Sequence, residues 1–321
     1  MIKRCVLNPI LTEKDVPYNA ALIFNAGVAK IDDTYYMLFR NDYAEPRGSH
    51  NLVGTNLGLA RSKDGIHWVV DPTPCFQLSS DEIIRIYDPR IQVIEGEIFI
   101  CFAVDTKHGI RGGIAKTDKE FKSFDILSLS APDNRNMVLF PEKINDKYAR
   151  LERPFPVYSM GHDKFDVWYS DSPDMKYWGN TQLVLGAEKV PFANAKIGPA
   201  APPIKTKEGW LTTFHAVKAV PPKKNGWEDL WGKEYYAGLM LLDIKNPSKV
   251  IGMYDKPLIV PEAEYETSGG FRNDVIFPGG MILEDNGEVK IYYGAADAVE
   301  CLATAHLDDL LSLCLKNRNY V

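Results

Sequence analysis

Five times along the chain, an extended segment, a short turn and a second hydrophobic strand closing on a polar residue follow one another. The second strands are TYYMLFR (34–40), EIFICFAVD (97–105), KYARLER (147–153), WLTTFHAV (210–217) and KIYYGAAD (290–297). The turns before them are Asp32-Asp33, Glu95-Gly96, Asn145-Asp146, Lys207-Glu208-Gly209 and Asp285-Asn286-Gly287, residues that favour tight reversals. A third strand-like stretch follows each hairpin, at 57–68, 112–124, 165–178, 237–250 and 301–313. Period-two alternation of this kind marks strands packed on a sheet face. The last stretch, ending DDLLSLCLK, is also compatible with a short terminal helix. Five antiparallel units of three or four strands predict an all-β fold, a five-bladed β-propeller, in which sheets bury their faces against neighbouring blades. No linker or low-complexity stretch interrupts the pattern, so residues 1–321 are expected to form a single domain.

The polar positions carry the functional signal. In an antiparallel hairpin, the start of the first strand and the end of the second lie at one end of the sheet. If the first strands line the axis, one rim gathers Asn25, Arg40, Asp88, Asp105, Arg135, Asn136, Arg153, Lys196, His215, Asn273, Asp274 and Asp297. Strand ends are often polar, and any one of these residues taken alone is better explained as a solvated strand end. The same pair of positions recurring in all five units favours a polar-substrate pocket.

Composition narrows the chemistry. The chain has 37 Lys and Arg against 43 Asp and Glu, a formal charge of −6, which argues against nucleic acid as a partner. An anion site must then be built locally, from clustered arginines. The five cysteines are widely spaced with no C-x-x-C pair, pointing to a reducing, cytoplasmic setting. Cys101, inside a strand pattern, is expected to be a small buried hydrophobe. No apolar run is long enough for a membrane span or a signal peptide. The six histidines lack zinc-ligand spacing, and no nucleotide-type glycine loop or nucleophile elbow appears, so neither metal nor cofactor is expected.

Asp88 lies in Tyr-Asp-Pro-Arg. The following proline is expected to bias it toward an extended backbone, and an ion pair with Arg90 is the plain structural alternative. Arg135, Arg153 and Lys196 open or close neighbouring blades. Converging guanidinium groups match a tetrahedral oxyanion. Clustered cations repel one another, so either carboxylates or a bound phosphate must answer them. The aromatics Trp227, Trp231, Tyr235 and Tyr236 fall in a loop where sugar faces can stack, or where they cover a blade edge. A second polar loop, 41–56, is placed to shape the acceptor side.

The segments FNAGV (24–28), LFRND (38–42), YDPRI (87–91), RNMVLFPEKINDKYARLERPFP (135–156), NAKIGPAAPPI (194–204), the TFHAV strand and YYGAAD (292–297) resemble glycoside hydrolase family 130, inverting β-mannoside phosphorylases on five-bladed propellers. The likeness runs from about residue 8 to about residue 313. It implies Asp88 as the catalytic acid, and Arg135, Asn136, Arg153 and His215, with Tyr235 or Tyr236, as the phosphate-binding set. It implies Asn25, Arg40, Lys196 and Asp297 as the residues that hold the mannosyl unit. Family members commonly carry a small polar residue where this chain has Ala26, which removes one sugar contact.

The implied activity is reversible phosphorolysis of a β-1,4-linked mannoside, mannosyl-glucose or a short manno-oligosaccharide, to α-mannose 1-phosphate. Inorganic phosphate is the co-substrate and no further cofactor is implied. An inverting hydrolase needs an acid and a base, whereas phosphate is already an anionic nucleophile, so one acid facing an arginine cluster suits phosphorolysis. Asp88 then needs burial or carboxylate neighbours such as Asp297 and Asp105 to hold its proton, with Arg90 opposing. The alternatives are a β-mannoside hydrolase on the same fold, using Asp105, Asp274 or Asp297 on water, and a non-catalytic mannoside-binding propeller. A homo-oligomer is compatible with the sequence.

Overall fold

The structure, a computed structural model, describes residues 1–46, 51–156, 161–221 and 232–316. Five small antiparallel sheets succeed one another as blades. Blade 1 is β2 (Leu22–Ile31), β3 (Thr34–Ala44), β4 (Leu52–Ser62) and β5 (Val69–Val70). Blade 2 is β6 (Ile83–Ile94), β7 (Glu97–Thr106), β8 (Gly109–Thr117) and β9 (Phe124–Leu129). Blade 3 is β10 (Asn134–Leu139), β11 (Tyr148–Pro154), β12 (Val167–Ser172) and β13 (Gly179–Leu185). Blade 4 is β14 (Lys196–Pro199), β16 (Trp210–Ala219), β17 (Lys233–Leu242) and β18 (Val250–Met253), with the short β15 (Ile204–Lys205) also paired to β16. Blade 5 is β19 (Ile276–Leu283), β20 (Glu288–Ala295) and β21 (Val299–His306), and its fourth strand is β1 (Lys3–Arg4) from the other end of the chain. The five-bladed propeller expected from the repeats is the observed fold.

The strand from the N-terminus is what the repeats did not announce. Two residues, Lys3 and Arg4, pair with Thr304 and Ala303 and close the ring. The segment after β21 forms a helix, Leu307–Leu315, which buries Leu310 and Cys314 against the core of blades 4 and 5. The terminal stretch is thus helical.

The apolar residues segregate by blade interface. Leu38, Leu57, Ile86 and Ile100 pack between blades 1 and 2; Val138, Leu151, Trp210 and Phe214 pack between blades 3 and 4. Comparable clusters fill the other three interfaces, with Cys101 buried between blades 2 and 3. Burial at about 25 cal/mol per Å² of apolar surface makes these five seams the main source of cohesion.

The axis is held by one arginine. Arg90, on β6, donates from Nε to Ala200 O (2.6 Å), from Nη1 to Asn25 O (3.0 Å) and Pro89 O (2.6 Å), and from Nη2 to Pro278 O (3.2 Å). Its guanidinium joins backbone from blades 1, 2, 4 and 5. That answers four carbonyls which, buried, each need a donor. Asp88 is not among its hydrogen-bond partners, so the Asp88–Arg90 pair is replaced by a structural pin. Backbones approach closely enough here that a Cβ on Gly27 would lie 2.7 Å from the Arg90 Cα.

Candidate active site

Three inner strands break register at the same point. The β2–β3 pairing slips between Phe24 and Gly27, β6–β7 between Tyr87 and Arg90, and β10–β11 between Arg135 and Val138. In each bulge the residue after Phe24, Tyr87 or Arg135 takes a left-handed backbone: Asn25 at φ 55°, Asp88 at φ 52°, Asn136 at φ 56°. A β-bulge re-aims a side chain, and Asn and Asp tolerate this region better than most residues. The extended conformation expected of Asp88 from Pro89 is therefore overridden by the bulge.

These three side chains meet at the axial rim in a cavity of about 320 Å³. Roomier hollows lie elsewhere, one of about 520 Å³ flanked by Phe192, Glu234 and Tyr236, but the axial one draws polar side chains from all five blades. Asp88 Oδ1 accepts from Asn25 Nδ2 (3.1 Å) and faces Arg40 Nη1 (3.4 Å). Arg40 forks onto Asp42 through Nε (2.8 Å) and Nη2 (2.7 Å) and lies over the Phe24 ring. Asp297, in the turn after β20, closes this side beside Arg272, 3.8 Å away. Burial pushes the Asp297 carboxyl up to about 6, against the pull of Arg40 and Arg272.

Blades 3 and 4 supply the cations. Arg135 Nη1 donates to Tyr87 OH (3.2 Å), which itself donates to Asp105 (2.6 Å). Arg153, opposite Arg135 in the β10–β11 ladder, donates from Nη1 to His215 Nε2 (3.0 Å). His215 Nδ1 stands 3.2 Å from Pro199 O, which only accepts, so Nδ1 carries the hydrogen and Nε2 the lone pair. Burial, then Arg153 and Lys196, hold the imidazole well below its ordinary pKa, consistent with that neutral tautomer. Lys196 Nζ lies 5.0 Å from the Tyr235 ring centre.

Arg135, Arg153 and Lys196 form no ion pair among the described residues, and the buried Nε atoms of both arginines have no hydrogen-bond partner there. Burial and the nearby Arg135 bring Arg153 down to about 9; burial, then Arg153 and Arg135, bring Lys196 down to about 6. A low-dielectric nest of cations without carboxylates is costly unless an anion enters it.

Of the residues singled out from sequence, Asn25, Arg40, Asp88, Arg135, Asn136, Arg153, Lys196, Tyr235 and Asp297 all line the cavity. His215 is fully buried behind the cavity wall, bonded to Arg153 and stacked on Phe277 and Tyr235, which line the cavity. Tyr236 faces the neighbouring hollow and pairs with Glu234, which leaves Tyr235 on the site. Asp105 is taken up by Arg85 and Tyr87, and Asp274 lines the outer hollow. Trp227 and Trp231 lie outside the described residues. The 41–56 stretch expected as a polar loop is largely the end of β3 and the start of β4, and from it Asp42 and Leu52 line the cavity. Sequence reasoning missed Tyr87, Asp42, Arg272 and Phe277. Tyr87 and Asp42 stood beside chosen residues, and the alternation of inward and outward positions in β3 was the available signal for Asp42, two residues after Arg40. Among the described residues, no group of three or more His, Cys, Asp or Glu is placed to hold a metal, and no helix is long and apolar enough to cross a membrane.

A family model for glycoside hydrolase family 130, described as beta-1,4-mannooligosaccharide phosphorylase, matches residues 5–316. The chain is 34% identical to the beta-1,4-mannooligosaccharide phosphorylase of Ruminococcus albus, over 95% of this chain and 84% of that protein. It is 32% identical to the beta-1,2-mannobiose phosphorylase of Listeria innocua, over 84% and 72%. A solved Listeria innocua beta-1,2-mannobiose phosphorylase, in complex with beta-1,2-mannobiose, superposes with a TM-score of 0.83 at 26% identity, covering 98% of this chain and 99% of that one. Fold and comparisons define an enzyme of the glycosyltransferase-type phosphorylase class. The chain belongs to glycoside hydrolase family 130.

Proposed function

We propose that this protein is a β-mannoside phosphorylase in which Asp88 is the proton donor and Arg135, Asn136, Arg153 and Tyr235 bind phosphate, with His215 orienting Arg153. The observation that carries this reading is the cluster of buried Arg153 with half-buried Arg135 and Lys196, which have no carboxylate partner among the described residues and face Asp88, itself held by Asn25 and Arg40. Phosphate seated there lies across the cavity from Asp88, the arrangement an inverting displacement needs. It attacks the anomeric carbon as the glycosidic bond breaks. The leaving oxygen takes a proton from Asp88, directly or through the sugar 3-hydroxyl, and α-mannose 1-phosphate and a shortened acceptor result. Asn25, Arg40, Lys196 and Asp297 hold the mannosyl unit. Phosphate also removes the need for a general base.

The substrate is a β-1,4-linked mannosyl disaccharide or short oligosaccharide. The β-1,4 assignment is supported by the family description and by the Ruminococcus relative, while the Listeria relatives carry a β-1,2 activity. Incubation with α-mannose 1-phosphate and a panel of glucose, mannose and manno-oligosaccharide acceptors, followed by linkage analysis, tests it. A β-1,4 product is expected; a β-1,2 product overturns the linkage, and no product with any acceptor overturns the reading. A second reading, hydrolysis with Asp297 as base, is favoured only by the raised pKa of that carboxyl; release of free mannose without phosphate separates it.

A further inference from the structure

Behind the site lies a carboxyl that the phosphorolysis mechanism does not use. Glu300, the second residue of β21, is fully buried. One oxygen, Oε1, accepts from the backbone N–H of Ala26 at 2.6 Å, while Oε2 has no partner. Ala26 follows Asn25 in the β2 bulge, and the Asn25 side-chain oxygen is likewise buried without a partner. Glu300 and Asn25 both lie against one glycine. Gly294 stands opposite Glu300 in the β20–β21 ladder, and a Cβ on it would lie 2.6 Å from Asn25 Oδ1. Two unpaired acceptors enclosed together call for a hydrogen between them.

We propose that Glu300 is a positioning residue that stays protonated and donates its carboxylic hydrogen to Asn25 Oδ1, fixing the Asn25 amide with its N–H toward Asp88. The relay then runs from Glu300 through Asn25 to the proton donor. Its purpose is orientation: a flipped Asn25 would set a carbonyl against Asp88 once that residue has given up its proton, and an ionised Glu300 would add a second anion behind it. The charged groups that face Glu300 are Arg90 and Asp88 from β6, with Cys301 its titratable neighbour on its own strand. Arg90 spends its donors on four carbonyls and not on Glu300. Burial accordingly pushes the Glu300 carboxyl up to about 8.

The role assigned to Asn25 rests on the phosphorylase reading, so the test has one arm independent of turnover. Infrared difference spectra between wild type and Glu300→Gln at pH 6.5 should show the carbonyl stretch of one protonated carboxylic acid lost in the variant. A carboxylate band lost instead overturns the proposal, whether or not the wild type is active. In phosphorolysis assays, glutamine can both accept from Ala26 and donate to Asn25. Glu300→Gln should therefore keep kcat within about threefold of wild type and lack the alkaline limb expected of wild type near pH 8. Glu300→Leu should lose tenfold or more in kcat with KM for phosphate unchanged. An alkaline limb unaltered in Glu300→Gln, or a kcat as low as that of Glu300→Leu, overturns it. Should the leucine variant fail to fold, the infrared and glutamine arms decide alone. A wild type without phosphorolytic turnover contradicts the proposed function and leaves the infrared result standing.

Discussion

Arg153 shows what burial does to a residue chosen for its charge. Its guanidinium is enclosed, stands beside Arg135, and has a neutral imidazole as its hydrogen-bond partner. A charge-assisted contact to phosphate is worth about 1.5–3 kcal/mol, so Arg153→Ala should raise KM for phosphate by roughly ten- to a hundredfold. Steady-state kinetics against phosphate at fixed mannoside checks this; an unchanged KM for phosphate removes Arg153 from the binding set. Lys196 gives a sharper signature. With its ammonium drawn down to about 6 by burial and the two arginines, it is mostly neutral at pH 7.5 in the empty site. An anion bound beside it favours the charged form and raises that pKa. Sulfate, which does not titrate near neutrality, should therefore bind at pH 7.5 with uptake of protons. Calorimetry in buffers of different ionisation enthalpy reads the number, and Lys196→Met should abolish the uptake. Binding without proton uptake in the wild type contradicts this.

At the scale of the strand, the bulges decide which side chains reach the axis. That Asn25, Asp88 and Asn136 belong to one rim was legible, because hairpin geometry brings strand starts and strand ends together. Their left-handed backbones were not, because a register slip is a property of two paired strands and cannot be seen in either one. Proline after Asp88 even pointed the wrong way. Glu300 escaped notice for a similar reason: a lone acid between Val299 and Cys301 shows its importance only once Gly294 and Ala26 are set against it. The close approach at Gly294 has its own consequence. A methyl group there would lie 2.6 Å from Asn25 Oδ1 and 2.7 Å from Asn25 N, so the β2 bulge must shift. Overpacking of this kind costs about 1–3 kcal/mol. Gly294→Ala should lower thermal stability and reduce kcat together; full activity with only a stability loss means that Asn25 does not position Asp88.

Across the whole molecule, five apolar seams make the ring, a two-residue strand from the N-terminus closes it, and Arg90 pins its centre. The blade count was legible from the repeats. The pin was not, since its four acceptors come from residues as distant in sequence as Asn25 and Pro278. Arg90→Met keeps much of the side-chain volume but leaves those carbonyls without donors, at about 1–3 kcal/mol for each unsatisfied group. Denaturant unfolding should show a loss of at least about 3 kcal/mol; a loss below 1 kcal/mol would mean that blade packing alone holds the axis. The same architecture sets the site. Asn25, Arg40, Asp88 and Asp297 come from blades 1, 2 and 5, Arg135, Arg153 and Lys196 from blades 3 and 4, and the seams fix the gap between the two groups. The decisive measurement is cleavage of β-1,4-mannobiose by the wild-type enzyme with and without inorganic phosphate, followed by phosphorus NMR. Strict dependence on phosphate, with α-mannose 1-phosphate formed in step with released mannose, is the predicted result. Free mannose released at full rate in phosphate-free buffer, with no sugar phosphate when phosphate is restored, would contradict it.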